Sequence, residues 1–150
     1  MRWIVISLLG GCLVAAGCTR SEESANSGLA PTQAFPAGHA GKGVGPVQSV
    51  QLGPLDLSLA EKGKAVFEQK CSACHRFEER FVGPPLKGVT QRRSPEWVMN
   101  MILNPVEMTQ KDPQAKELLA TYLTQMTFQN VSQEEARALL EYFRQLDGAS

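Results

Sequence analysis

Two cysteines three positions apart with a histidine directly after the second, Cys71-Ser72-Ala73-Cys74-His75, are the residues of this chain best placed to do chemistry. On a single turn of backbone, two thiols at that spacing can each add across one of the two vinyl groups of a haem. The imidazole that follows then meets the iron from the same side, and the pattern is the signature of covalent haem attachment. Thioether bonds do not dissociate, so a group held in this way is retained outside the cell. Other uses of the same residues fit less well. A dithiol redox pair calls for a βαβ setting that the sequence does not offer. A structural zinc needs four ligands, and beyond these three only His39 remains. A Cys71–Cys74 disulfide would close a strained loop on a helical turn.

The rest of the composition sets bounds. A chain of 150 residues, 43% hydrophobic, supports one modest core and a single folded domain. Fifteen basic residues balance fifteen acidic ones, so no net charge points to nucleic acid as a partner.

The N-terminus reads as an address. Met1-Arg2 carries one positive charge, and the uncharged apolar run Trp3 to Ala16 is short for a membrane span and suited to a signal h-region. Leu13-Val14-Ala15-Ala16-Gly17-Cys18 resembles the lipobox of bacterial lipoproteins, which implies cleavage after residue 17 and an acylated Cys18 as the lipid-bearing N-terminus. Leu9-Gly10-Gly11-Cys12 has a similar look, but it leaves a very short h-region. The chain is expected to be exported and tied to a bacterial membrane, with its folded part in the periplasm. Residues 18–54, rich in Ser, Gly, Ala and Pro without an apolar period, read as a flexible tether. A leash of about 36 residues reaches on the order of 30 to 35 Å, and folding should not depend on it. His39 lies within it, where a Gly-rich setting cannot preorganise a ligand.

From residue 55 to 150 the punctuation is helical. Ser58-Leu59-Ala60-Glu61 reads as a capping box for a helix carrying Leu59, Gly63, Val66 and Phe67 on one face and running into Cys71. Ser94-Pro95-Glu96-Trp97 starts a second helix over about 95–103, ended by Asn104-Pro105; Asp112-Pro113 starts a third, with Ala115, Leu118, Leu119 and Tyr122 facing inward. Ser132-Gln133-Glu134-Glu135 is a second capping box, and the last helix runs to Asp147-Gly148 with Ala136, Leu139, Leu140, Phe143 and Leu146 at helical spacing. The fold class is therefore all-α, about four helices with irregular connections over 76–93, 104–111 and 123–131. Short helices and long loops need a large rigid apolar object at their centre, and a haem would serve.

Gly63-Lys64-Ala65-Val66-Phe67 before the Cys71–His75 motif, followed by Val82-Gly83-Pro84-Pro85-Leu86-Lys87-Gly88, resembles the class I monohaem cytochromes c over residues 58–147. The resemblance implies a cytochrome c-like fold around one covalent haem c, with Gly63 and Phe67 meeting Leu139 and Tyr142 on the last helix. It implies that Pro84 offers its carbonyl to the Nδ1 hydrogen of His75, the first axial ligand. It also favours Met126, in a loop similar to the family's methionine loop before the C-terminal helix, as the second axial ligand, although Thr127 stands where many relatives have proline. Met108 is the chief rival, and Met99 and Met101 read as core-filling residues.

The Trp97 indole N–H would suit a haem propionate or a core partner, Arg92, Arg93 and Lys87 a propionate or a docking patch. Glu78, Glu79 and Arg80 read as a solvated run. His/Met ligation saturates the iron, so one-electron transfer and no enzymatic activity is expected; a haem enzyme or sensor would need an open or labile sixth position. The expected partners are redox proteins acting as donor and acceptor. The stretch 94–105 is similar to small cytochromes found beside terminal reductases such as nitrous-oxide reductase.

Overall fold

The computed structural model describes residues 41–149; the signal segment, Cys18, His39 and the tether as far as residue 40 lie outside them. Six helices follow in order: α1 (Leu57–Lys70), α2 (Val89–Arg92), α3 (Pro95–Leu103), α4 (Pro105–Lys111), α5 (Pro113–Tyr122) and α6 (Gln133–Leu146). No strand occurs among the described residues.

The starts and stops follow from the caps. The Ser94 and Asp112 side chains accept from Trp97 N–H and Ala115 N–H, with proline at the first helical position of α3 and α5. Ser132 and Glu135 form the reciprocal capping box expected for α6. The first helix differs from its expected start. Asp56, not Ser58, caps α1 by accepting from Leu59 N–H at 3.0 Å, because an ionised carboxylate is the stronger acceptor at the positive end of a helix. The expected loop 104–111 is also a helix. Asn104 ends α3, and Pro105, which has no N–H to lose, occupies the first position of α4 at no hydrogen-bond cost.

The long helices α1 and α6 cross with their backbones in near contact. A Cβ built on Gly63 would lie 2.0 Å from the Ala138 carbonyl oxygen, so only glycine permits this approach. Beside the crossing, Phe67 packs against Phe77 (4.7 Å between ring centroids), Tyr142 (6.0 Å) and Phe143 (6.2 Å). Leu139 and Leu140 are buried beneath them. Glu141, wholly buried, takes hydrogen bonds from Asp56 N–H (2.9 Å), Arg144 (2.7 Å) and Arg137. Burial pushes its carboxyl up, but these three donors outweigh it and hold the carboxyl below the usual range.

The domain begins earlier than expected. Residues 42–50, assigned from sequence to the tether, lie as a strap along α3 and α4. The buried Asn100 amide donates to the Lys42 and Val47 carbonyls (2.8 and 2.9 Å) and accepts from Val47 N–H at 2.9 Å. Asn104 donates to Val44 O, and Val50 N–H donates to Glu96. Gly-rich composition signalled a leash, yet here the small residues admit close approach: a Cβ on Gly45 would stand 2.4 Å from the Asn100 side-chain oxygen. Among the described residues, no helix is long and apolar enough to cross a membrane.

Candidate haem-attachment site

The attachment motif is the continuation of α1. Cys71 and Ser72 N–H groups both donate to Phe67 O, and Cys74 and His75 N–H groups both donate to Cys71 O at 3.0 Å, so the chain leaves the helix as a run of tight turns. Both thiols are free, Cys74 exposed and Cys71 half-buried. Burial, with Lys70 opposing and Cys74 adding, pushes the Cys71 thiol up to about 11. A thiol of that kind is not the low-pKa thiolate of a dithiol oxidoreductase. Among the described residues, no three His, Cys, Asp or Glu side chains cluster closely enough to hold a metal ion.

Two contacts fix the imidazole of His75. Its Nδ1 lies 3.1 Å from Pro84 O, as the resemblance implied. A carbonyl can only accept, so Nδ1 carries the hydrogen and Nε2 keeps its lone pair for a metal. Burial lowers the His75 pKa, against the pull of the Pro84 carbonyl, which favours the neutral, ligating form. A Cβ on Gly83 would lie 2.5 Å from Cε1, so the imidazole also packs against bare backbone. The segment that brings Gly83 and Pro84 here is tied to the motif by Gly83 N–H to Cys74 O (2.9 Å), Leu86 N–H to Arg76 O and Lys87 N–H to Phe77 O (both 3.0 Å). Two free thiols at the right spacing and a neutral imidazole with its outer nitrogen available fit a covalently attached haem.

Other expected site residues take different places. Trp97 is 4% exposed and its Nε1–H donates to Asp112 at 3.0 Å. The indole is thus a core group with a protein partner. Arg93 is buried and stacks over the Trp97 ring at 4.9 Å; Arg92 donates to the carbonyls of Lys87 and Pro85; Lys87 pairs with Glu78 at 2.7 Å.

Of the methionines, Met99 is buried at 2% and Met108 at 0% exposure, and the Met108 sulfur accepts the Val44 N–H at 2.9 Å. Met126 sits half-buried in the irregular segment between α5 and α6. Sequence reasoning missed Asn100, Glu141 and Gln125; the first two were visible only as polar residues on otherwise apolar helix faces.

Comparison with known proteins agrees with this geometry. Residues 60–147 match the family model described as cytochrome c. A solved cytochrome c from Rhodothermus marinus is 49% identical, with a TM-score of 0.68, covering 69% of this chain and 90% of that one. A cytochrome c-553-like protein of Synechocystis is 32% identical over 69 residues, 43% of this chain and 66% of the relative. Cytochrome c2 of Rhodopseudomonas palustris is 41% identical over 46 residues, 31% of this chain and 32% of the relative. The chain thus spans just under two thirds of the first curated relative and about a third of the second. Because the family match runs from the first helix, through the attachment motif, to the end of the last, this chain belongs to the cytochrome c family and bears one covalent c-type haem.

Proposed function

We propose that the protein is an exported, lipid-anchored electron carrier whose haem iron is held by His75 and Met126. The haem supplies one-electron chemistry at its iron. The protein's residues do the rest: Cys71 and Cys74 tether the group, Pro84 and Gly83 fix the His75 ring, and a thioether from Met126 would fill the remaining position. The observation carrying this ligand assignment is the commitment of Met108. Its sulfur is wholly buried and accepts Val44 N–H, whereas Met126 lies in a segment without helical constraint.

A saturated iron favours transfer of an electron over binding of small molecules. A thioether, weak and neutral, holds the potential above that of bis-His ligation. The leader pattern of residues 1–18 supports export and acylation of Cys18, which would place the domain in a periplasmic respiratory chain between redox proteins serving as donor and acceptor. A terminal reductase such as nitrous-oxide reductase is one acceptor of the right kind.

Two substitutions test the assignment. Met126→Ala should keep covalent haem, lose the weak near-infrared sulfur-to-ferric-iron band, lower the potential and admit carbon monoxide. Met108→Ala should retain the band and exclude the gas while losing about 2 to 5 kcal/mol of stability. The reverse pattern would transfer the ligand role to Met108. Ready binding of carbon monoxide by the natural protein would mean an open sixth position and a haem enzyme or sensor.

A further inference from the structure

Residues 124–131 carry the Met126 sulfur, yet among the described residues no backbone-to-backbone hydrogen bond involves any of them. Two non-glycine residues with positive φ mark it, Leu123 at 53° just before it and Asn130 at 52° near its end. Near its far end Lys70 donates to Asn130 O at 3.0 Å. At Met126 itself the tie is a side chain. Gln125 Nε2 donates to the Met126 carbonyl at 2.8 Å, and Gln125 Oε1 lies 2.9 Å from the Thr109 hydroxyl on α4.

The direction of these bonds follows from the chemistry. The Met126 carbonyl can only accept, so the amide nitrogen must face it and the amide oxygen must face Thr109. That oxygen needs a donor, and the Thr109 hydroxyl has one hydrogen. Two main-chain carbonyls of α4, Pro105 O at 3.1 Å and Val106 O at 2.9 Å, compete for it, but only the bond to Gln125 satisfies the amide oxygen. Thr109 is a firm post. It is 6% exposed and follows Met108, whose sulfur the strap engages through Val44 N–H.

We propose that Gln125 is a positioning residue that fastens the Met126 segment to α4 through the Thr109 hydroxyl. The inference rests on the reading of Met126 as axial ligand. A thioether is a weak ligand, so its persistence depends on how little freedom the segment regains when the sulfur lets go. A segment without main-chain bonds would regain much. The clamp holds the Met126 backbone in place when the sulfur detaches, so the ligand returns before a competitor enters.

The test is imidazole binding to the ferric holoprotein, followed together with the near-infrared band and the urea midpoint. Thr109→Val, which keeps the shape without the hydroxyl, and Gln125→Ala should each raise the apparent imidazole affinity roughly fivefold, the equivalent of the backbone freedom of about one residue regained by the detached segment. The double variant should gain little beyond either single one, because both break the same link. Thr109→Ser, retaining the hydroxyl, should behave as the natural protein. Met126→Ala is the control. If it loses the band while Thr109→Val and Gln125→Ala bind imidazole like the natural protein, changing at most the urea midpoint, the clamp is overturned and the ligand assignment stands. If Met126→Ala keeps the band, the assignment fails, and the clamp's role toward the iron fails with it.

Discussion

The strap, α3 and α4 form one side of this domain, and α5 with the segment after it forms another; the chain treats them differently. On the first side Asn100 and Met108 are fully enclosed, and the Asn100 amide and the Met108 sulfur are matched to strap backbone. On the second, α5 buries only Ala115, and the helix ends on Leu123, 85% exposed in the left-handed region, with Phe128 beyond it 48% exposed. The polypeptide therefore encloses the first side with its own backbone, whereas the second is held by single side-chain ties.

The comparison can be broken most directly by removing the strap. A chain starting at residue 53 should unfold in urea with about 4 kcal/mol less stability than one starting at residue 41. That sum combines exposure of buried Val47 with an Asn100 amide left without partners. Equal midpoints would make residues 42–50 the dispensable tether that their composition suggests. Asp112 joins the two sides, capping α5 and accepting the Trp97 indole N–H. Asp112→Ala should cost about 2 to 3 kcal/mol, from a lost N-cap and a buried donor left unpaired. Circular dichroism of the holoprotein should show this as a lower melting temperature, and an unchanged one would mean that the two sides are held together elsewhere. The smallest effect has the opposite sign. Leu123→Gly removes the strain of an exposed leucine at φ 53° and should stabilise the protein by about 0.5 to 1 kcal/mol, with imidazole binding unaltered. A loss of stability would show that the Leu123 side chain has a packing role.

Much of the helical layout was legible because it is local. The caps Ser94, Asp112 and Ser132 and the prolines 95 and 113 set the starts of α3, α5 and α6 through bonds that span three residues. The Cys71–His75 motif was equally plain, since its chemistry is a matter of spacing on one turn. The restart at Pro105 was less so, because the same residue that ends one helix is suited to begin the next.

Sequence by itself determined an all-α domain bearing a covalent haem, and the resemblance carried by Gly63, Phe67 and Pro84 anticipated the packing at Leu139 and Tyr142 and the bond to His75. Only the tertiary structure decided where the domain begins, what Trp97 donates to, and which methionine sulfur was already engaged. Each of those depends on groups meeting across more than 10 positions of chain: Val47 and Asn100 are 53 apart, Trp97 and Asp112 15, Val44 and Met108 64. No local propensity encodes such pairings. A buried amide, an indole N–H and a sulfur each take whichever partner the packed helices bring within about 3 Å.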